Sequence, residues 1–263
     1  MRVKLRNFSM EHDDLGSGTP LLFIHGYPLS RTLWEPQVNE LSGVARVLAV
    51  DLRGHGGSDP VPGPYSMDLL AEDCREFLDA LRIIRPVVVC GLSMGGYVTF
   101  AFCRKYPERT AGLILCSTRA GVDSPEGKAG REKAMALAKE QGVTAIAESM
   151  LPKMLAPQTY TTHPQLVERV RRMMESTSLE GVLGDLAALR DRPDSTPNLA
   201  RIDRPTLILH GADDQLIPSK EAEIMHTGIK GSRLRLLPDS GHLLNLQQPQ
   251  MFNEAVQKFV EAL

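Results

Sequence analysis

The chain has 263 residues, 42% of them hydrophobic and 24% charged, with a formal net charge of −2. These are the proportions of an ordinary globular protein of one large domain, or of a domain with an insertion. With no long block of like charge, they argue against a nucleic-acid or anionic-membrane partner. No run approaches the ~18 apolar residues of a spanning helix, and the N-terminal MRVKLRNFSM lacks the apolar core of a secretory signal, so a cytoplasmic protein is expected. Cys74, Cys90, Cys103 and Cys116 sit far apart in apolar segments, as buried reduced thiols do, and form no metal-ligand or redox spacing.

Residues 1–13 read as a β-hairpin or a pair of edge strands, leaving through the turn-rich Asp13 to Gly18. Pro20 to His25 is the first wholly apolar strand and ends in the tight turn Gly26-Tyr27-Pro28. Arg46 to Asp51 is the next, followed by a glycine-rich loop from Leu52 to Asp59. Ser66 can cap a helix whose Leu70, Cys74, Phe77, Leu78 and Leu81 share one face. A strand at Val87 to Cys90 and a buried helix through Tyr97 to Cys103 come next, then a strand at Leu113 to Cys116. Strands alternating with helices predict an α/β fold, a mostly parallel sheet flanked by helices.

Residues 119–200 break the rhythm. They hold no β-like apolar run, many helix formers and five of the eleven methionines: Met135, Met150, Met154, Met173 and Met174. This predicts a helical cap inserted into a core made of 1–118 and 201–263, because some 80 residues exceed what one crossover needs. A Met-rich cap suggests an adaptable, apolar pocket. The strand pattern resumes at Arg204 to His210, continues with a helix from about Ser219 and a strand at Arg233 to Leu237, and closes with a helix opened by Pro249.

Between the strand at 87–90 and the helix after it stands Gly91-Leu92-Ser93-Met94-Gly95. A strand turning abruptly into a helix leaves no room for side chains beside the turn, hence the glycines, and pushes the Ser hydroxyl out above the sheet. A serine hydroxyl needs a base within hydrogen-bond reach, itself oriented by a carboxylate. In a parallel sheet these come from loops at the carboxyl ends of later strands. Two loops supply them: Gly211 to Pro218, with Asp213 and Asp214, and Asp239-Ser240-Gly241-His242.

With His25-Gly26-Tyr27-Pro28, Asp51-Leu52-Arg53-Gly54-His55-Gly56, the serine turn, Gly211 to Pro218 and Gly241-His242 all in order, the chain resembles the α/β-hydrolase superfamily. Within it, the chain is similar to the small cofactor-free carboxylesterases, enol-lactonases and haloperoxidase-like enzymes. The resemblance implies Ser93 as nucleophile and His242 as general base. The family's Gly-x-x-Asp-x-x-x-Pro pattern falls on Gly211, Asp214 and Pro218, which prefers Asp214 over Asp213 as the acid; Asp213 is then a turn residue capping backbone amides, and Asp239 and Asp59 are more distant alternatives. The backbone amides of Tyr27 and Met94 are the expected oxyanion donors. Tyr27 can also line the acyl pocket, and Trp34 is either pocket or packing. His25 and His210 should bond loop backbone and His55 should pin the glycine-rich loop, while His12, His163 and His226 lie in polar surroundings.

A Ser at the turn, where dehalogenases and epoxide hydrolases carry Asp, implies hydrolysis of a carboxylic ester or lactone through an acyl-enzyme, with no metal or organic cofactor. Perhydrolysis and carbon–carbon hydrolysis are alternatives open to the same triad, and a non-catalytic receptor for a small lactone is the alternative from another class. The expected partner is a small ester or lactone, with the chain acting as a monomer or small homo-oligomer.

Overall fold

The computed structural model describes residues 1–263. Its strands are β1 (Arg2–Lys4), β2 (Ser9–Leu15), β3 (Pro20–Ile24), β4 (Arg46–Val50), β5 (Val87–Leu92), β6 (Thr110–Cys116), β7 (Thr206–Gly211) and β8 (Arg233–Leu237). They form one sheet in the order β1-β2-β4-β3-β5-β6-β7-β8. β1 and β2 pair antiparallel, as do β2 and β4, and the rest run parallel. The strands that are apolar at every position, β3 and β5, lie in the middle and are buried throughout, because helices cover both faces. Leu21 and Phe23 of β3 enter one core, and Leu22 and Ile24 the other, as the two-residue period of a strand requires.

Helices α1 (Glu35–Leu41), α2 (Met67–Ala80) and α3 (Met94–Lys105) precede the insertion; α4 (Pro125–Met150), α5 (Thr159–Thr162), α6 (Pro164–Glu175) and α7 (Leu179–Asp191) make it up. The C-terminal part adds α8 (Lys220–Gly228), α9 (Leu244–Gln247) and α10 (Pro249–Val260). α1 and α10 cover one face of the sheet, α2 and α3 the other. Ser66 caps α2 as expected, accepting the Leu69 amide at 3.1 Å. α3 starts at Met94, three residues before the apolar run that betrays it, because Gly95 and Gly96 dilute the helical signal of its first turn.

The insertion joins β6 to β7 with no strand in between. It is fastened to the sheet at α7. A Cβ on Gly181 would lie 2.5 Å from the Gly54 oxygen, and that oxygen accepts from the Ser178 amide at 2.9 Å and its hydroxyl at 2.8 Å. His55 and Asp185, both fully buried, meet at 3.1 Å. Asp185 holds the His55 imidazole above its ordinary pKa against the opposing effect of burial. Thus His55 pins its loop to the cap as well as to the core. Near the end of the insertion, the 3₁₀ turn Thr196–Arg201 puts Leu199 into a core cluster with Phe100, Leu113 and Met225.

Two smaller expectations need correcting. His12 is buried and packs edge-on to Phe77, with ring centroids 5.0 Å apart, and Cys103 is only partly buried. No helix is long and apolar enough to cross a membrane.

Candidate active site

Ser93 sits between the last residue of β5 and the first of α3 with φ 56° and ψ −113°, a conformation that L-residues hold only when their surroundings dictate it. The surroundings are backbone. A Cβ on Gly91 would lie 2.1 Å from the Gly95 oxygen, and one on Gly95 would lie 2.2 Å from the Ile24 oxygen. The Ser93 amide donates to Cys116 O at 2.8 Å, and the Thr118 hydroxyl donates to Ser93 O at 2.8 Å. Neighbouring strands therefore fix the turn on both sides.

The loops after β7 and β8 interlock beside it. The Ala212 amide donates to Leu237 O and the Asp213 amide to Ser240 O, each at 2.9 Å. This brings His242 Nδ1 to 2.8 Å from Asp214 Oδ2. The other carboxylate oxygen, Oδ1, accepts the amides of Leu216 at 2.8 Å and Ile217 at 3.0 Å. Burial alone would raise the Asp214 carboxyl, but the His242 imidazole and the Ile217 amide outweigh it and hold it below the ordinary carboxylate range. An ionised carboxylate accepts, so Nδ1 of His242 carries the proton and Nε2 is left as an acceptor. The amide-capping task expected of Asp213 thus belongs to Asp214, while Asp213 is exposed and makes no side-chain hydrogen bond. Asp239 is exposed as well. Asp59 is committed elsewhere, to the Ser9 amide at 2.8 Å and to Arg2.

Ser93 and His242 line one cavity of about 90 Å³, far smaller than the sites of drug-sized ligands. In the resting site the Ser93 hydroxyl is not hydrogen-bonded to His242, a gap that active sites often close only when substrate binds. Gly26 packs against Ser93, its Cβ position 3.2 Å from Ser93 Cβ, so the Gly26–Tyr27 peptide borders the serine. Met94 is the first residue of α3, and its amide therefore has no partner within the helix. Tyr27 lines the cavity, and its hydroxyl is buried without a partner.

Trp34 does not line this cavity. It is fully buried between Phe23 and Phe252, at centroid distances of 4.6 and 5.9 Å, because the turn after β3 directs it under the sheet, away from the carboxyl edge. The methionine expectation also changes. Among the cap methionines only Met150 reaches the cavity, whereas Met154, Met173 and Met174 fill the core. The cap side instead presents Arg131, beside Arg119 from the loop after β6. A larger cleft of about 760 Å³ lies between α6 and the loops after β3 and β4, but it contains neither the serine nor the histidine.

The sequence profile of the alpha/beta hydrolase fold family matches residues 19–249. The chain belongs to that family. A thermophilic esterase from Thermogutta terrifontis, solved with malate bound, superposes with a TM-score of 0.97 at 39% identity, covering 100% of this chain and 98% of that one. The 3-oxoadipate enol-lactonase 2 of Acinetobacter baylyi is 32% identical over 237 residues, 90% of this chain and 86% of the relative. An enol-lactonase from Burkholderia xenovorans superposes with a TM-score of 0.92 at 27% identity, over 99% of this chain and 100% of that one.

In this α/β hydrolase His25 and His210 bond loop backbone, as their positions suggested. His25 donates from Nδ1 to Gly26 O at 2.9 Å and accepts the Leu52 amide on Nε2 at 3.0 Å. His210 bonds Ile217 O at 2.8 Å. Sequence reasoning missed Gln247, which accepts the Gly241 amide at 2.8 Å, donates to Thr159 at 2.6 Å, and so ties the His242 loop to the cap. It also missed Arg119, Arg131 and the carboxylate they share, Asp123, which no local pattern marks.

Proposed function

We propose that the protein is a serine hydrolase of carboxylic esters or lactones. His242 Nε2 takes the proton of Ser93 as its Oγ attacks the substrate carbonyl. Asp214 keeps the imidazole in the tautomer that can do so and steadies the imidazolium that results. The carbonyl π electrons move to oxygen, which the amides of Met94 and Tyr27 receive. Collapse expels the alcohol, protonated by His242, and leaves an acyl-enzyme. Water, deprotonated by the same imidazole, then attacks the acyl carbon; the acid leaves and Ser93 regains its proton. In a lactone the leaving alcohol stays tethered to the acyl group, and the same steps open the ring.

The observation that carries this reading is the 2.8 Å Asp214–His242 hydrogen bond at the wall of the cavity that Ser93 enters from its strained turn. The esterase and enol-lactonase relatives agree with it. The test is turnover of short-chain p-nitrophenyl esters beside a set of lactones, by the native chain and Ser93→Ala. Loss of up to about 10⁶-fold in kcat is expected on removing the hydroxyl. A variant that keeps activity within tenfold of the native chain would contradict the proposal. Which substrate set is preferred separates esterase from lactonase.

A further inference from the structure

We propose that Gln247 is a positioning residue for His242: it clamps the loop of the base to residues 154–159 of the insertion and so sets how far the imidazole reaches toward Ser93. The inference rests on the serine hydrolase reading above and starts from a difference between acid and base. The acid is held by its own loop, since Asp214 Oδ1 accepts amides from two and three residues further on. The base is held from outside its loop. The amide before His242, that of Gly241, donates to Gln247 Oε1 at 2.8 Å, and the amide after it, that of Leu243, donates to Met154 O at 3.1 Å. Asp214 thus grips the imidazole from the sheet side, while Gln247 and the insertion grip the backbone that carries it.

Gln247 joins these parts through one side chain. Its Oε1 also accepts the Ala156 amide at 3.3 Å, and its Nε2 donates to the buried Thr159 hydroxyl at 2.6 Å. Two backbone donors on one side fix which end of the amide is oxygen, so the group can be turned only one way. The Gly241 peptide has no slack around it: a Cβ on Gly241 would lie 2.7 Å from Ala156 N, and one on Gly211 would lie 2.0 Å from Gly241 O. Adhesion does not require the amide, because Met154, Leu155, Leu243, Leu244 and Leu246 already pack in one core cluster. Apolar contact is non-directional and leaves open where the peptide sits along the interface; hydrogen bonds of fixed geometry decide it. Its place matters because the Ser93 hydroxyl is not hydrogen-bonded to His242 in the resting site, and an error of about 1 Å in catalytic geometry can cost about 10²-fold in rate.

The test measures kcat and KM for p-nitrophenyl acetate and p-nitrophenyl butyrate at a temperature where circular dichroism shows each variant to be folded. Beside it runs the proton NMR signal of the His242 Nδ1–H that Asp214 accepts, identified by its loss in Asp214→Asn. Gln247→Leu removes the clamp at near-constant volume and should lower kcat about 10- to 100-fold for both esters alike, leave KM within about twofold, and shift or abolish the signal. Gln247→Glu, whose carboxylate accepts both amides and the Thr159 hydroxyl, should recover kcat to within about threefold. Should the leucine variant not fold, Thr159→Val is read instead, with an expected fall of about 3- to 10-fold in kcat. A folded Gln247→Leu or Thr159→Val with native kcat and native signal would make the clamp structural and overturn the proposal. A loss confined to KM, or to one of the two esters, would place Gln247 in the substrate pocket and overturn it as well. If the native chain hydrolyses neither ester, the hydrolase reading falls, while a signal lost in Gln247→Leu and restored in Gln247→Glu keeps the positioning of His242.

Discussion

The turn at Ser93 and the opposite wall at Arg119 and Arg131 face one cavity, yet they are specified in different ways. The turn is fixed by backbone. Its glycines are required because an added Cβ would lie 2.1–2.2 Å from main-chain oxygens, and its strain is held by strands on either side. The wall is fixed by side-chain charge, assembled from positions 119, 123, 131 and 192 around one carboxylate. A part made by backbone geometry tolerates almost no variation and can serve many reactions. A part made by a few long, half-exposed side chains can be rewritten by single substitutions, and that is where substrate choice can change without disturbing the chemistry.

Breaking the reaction side should have the largest effects. Asp214→Asn should lower kcat by about 10⁴-fold, since an amide in that place can hold the wrong tautomer, whereas Asp213→Asn should stay within a few-fold. Steady-state rates for the pair decide the point, and equal losses would return the acid to an open question. Gly95→Ala should reduce both folded yield and rate, because its methyl has to displace the Ile24 carbonyl; overpacking of this kind costs about 1–3 kcal/mol. Chemical denaturation beside ester turnover checks both.

On the cap side the effects should be smaller and pH-dependent. Burial would raise the Asp123 carboxyl, but Arg192 and Arg131 bring it down to about 2. A group depressed in the folded state contributes stability that is fully present above its unfolded pKa and is lost as pH falls through the folded value. The native chain should therefore lose melting temperature between about pH 4 and pH 2 more steeply than Asp123→Asn, with the variant less stable near neutrality. Identical acid profiles would remove the ion cluster from the account. Smallest of all in activity, Trp34→Phe should leave the ester profile untouched while costing about 0.5–3 kcal/mol of stability, because the smaller ring leaves a gap in the core.

How much could be read beforehand follows the same division. The sheet, the turn and the two loops carrying Asp214 and His242 show in the sequence because each rests on a local cause: a run of apolar β-branched residues, a glycine without room for a methyl, a loop at a strand's carboxyl end. The cap's helical character shows for the same reason. Its chemistry does not, since Asp123 gathers partners from four and eight residues away and from 69 away, and charged residues at helical spacing look alike whether they face solvent or a cavity. Trp34 was ambiguous because one aromatic residue after a turn carries no sign of which side of the sheet it will enter. Methionine content misled in a similar way: the cap uses Met154, Met173 and Met174 to fill core, and only Met150 lines the site.

The claim on which the rest depends is that Ser93 is the nucleophile activated by His242, and a covalent label tests it without any knowledge of the natural substrate. Incubation with a fluorophosphonate, followed by peptide mapping in a mass spectrometer, should give a single adduct on the peptide containing Ser93, and His242→Ala should suppress it. An unmodified Ser93 peptide, or an adduct on another residue that forms equally fast without His242, would contradict the account.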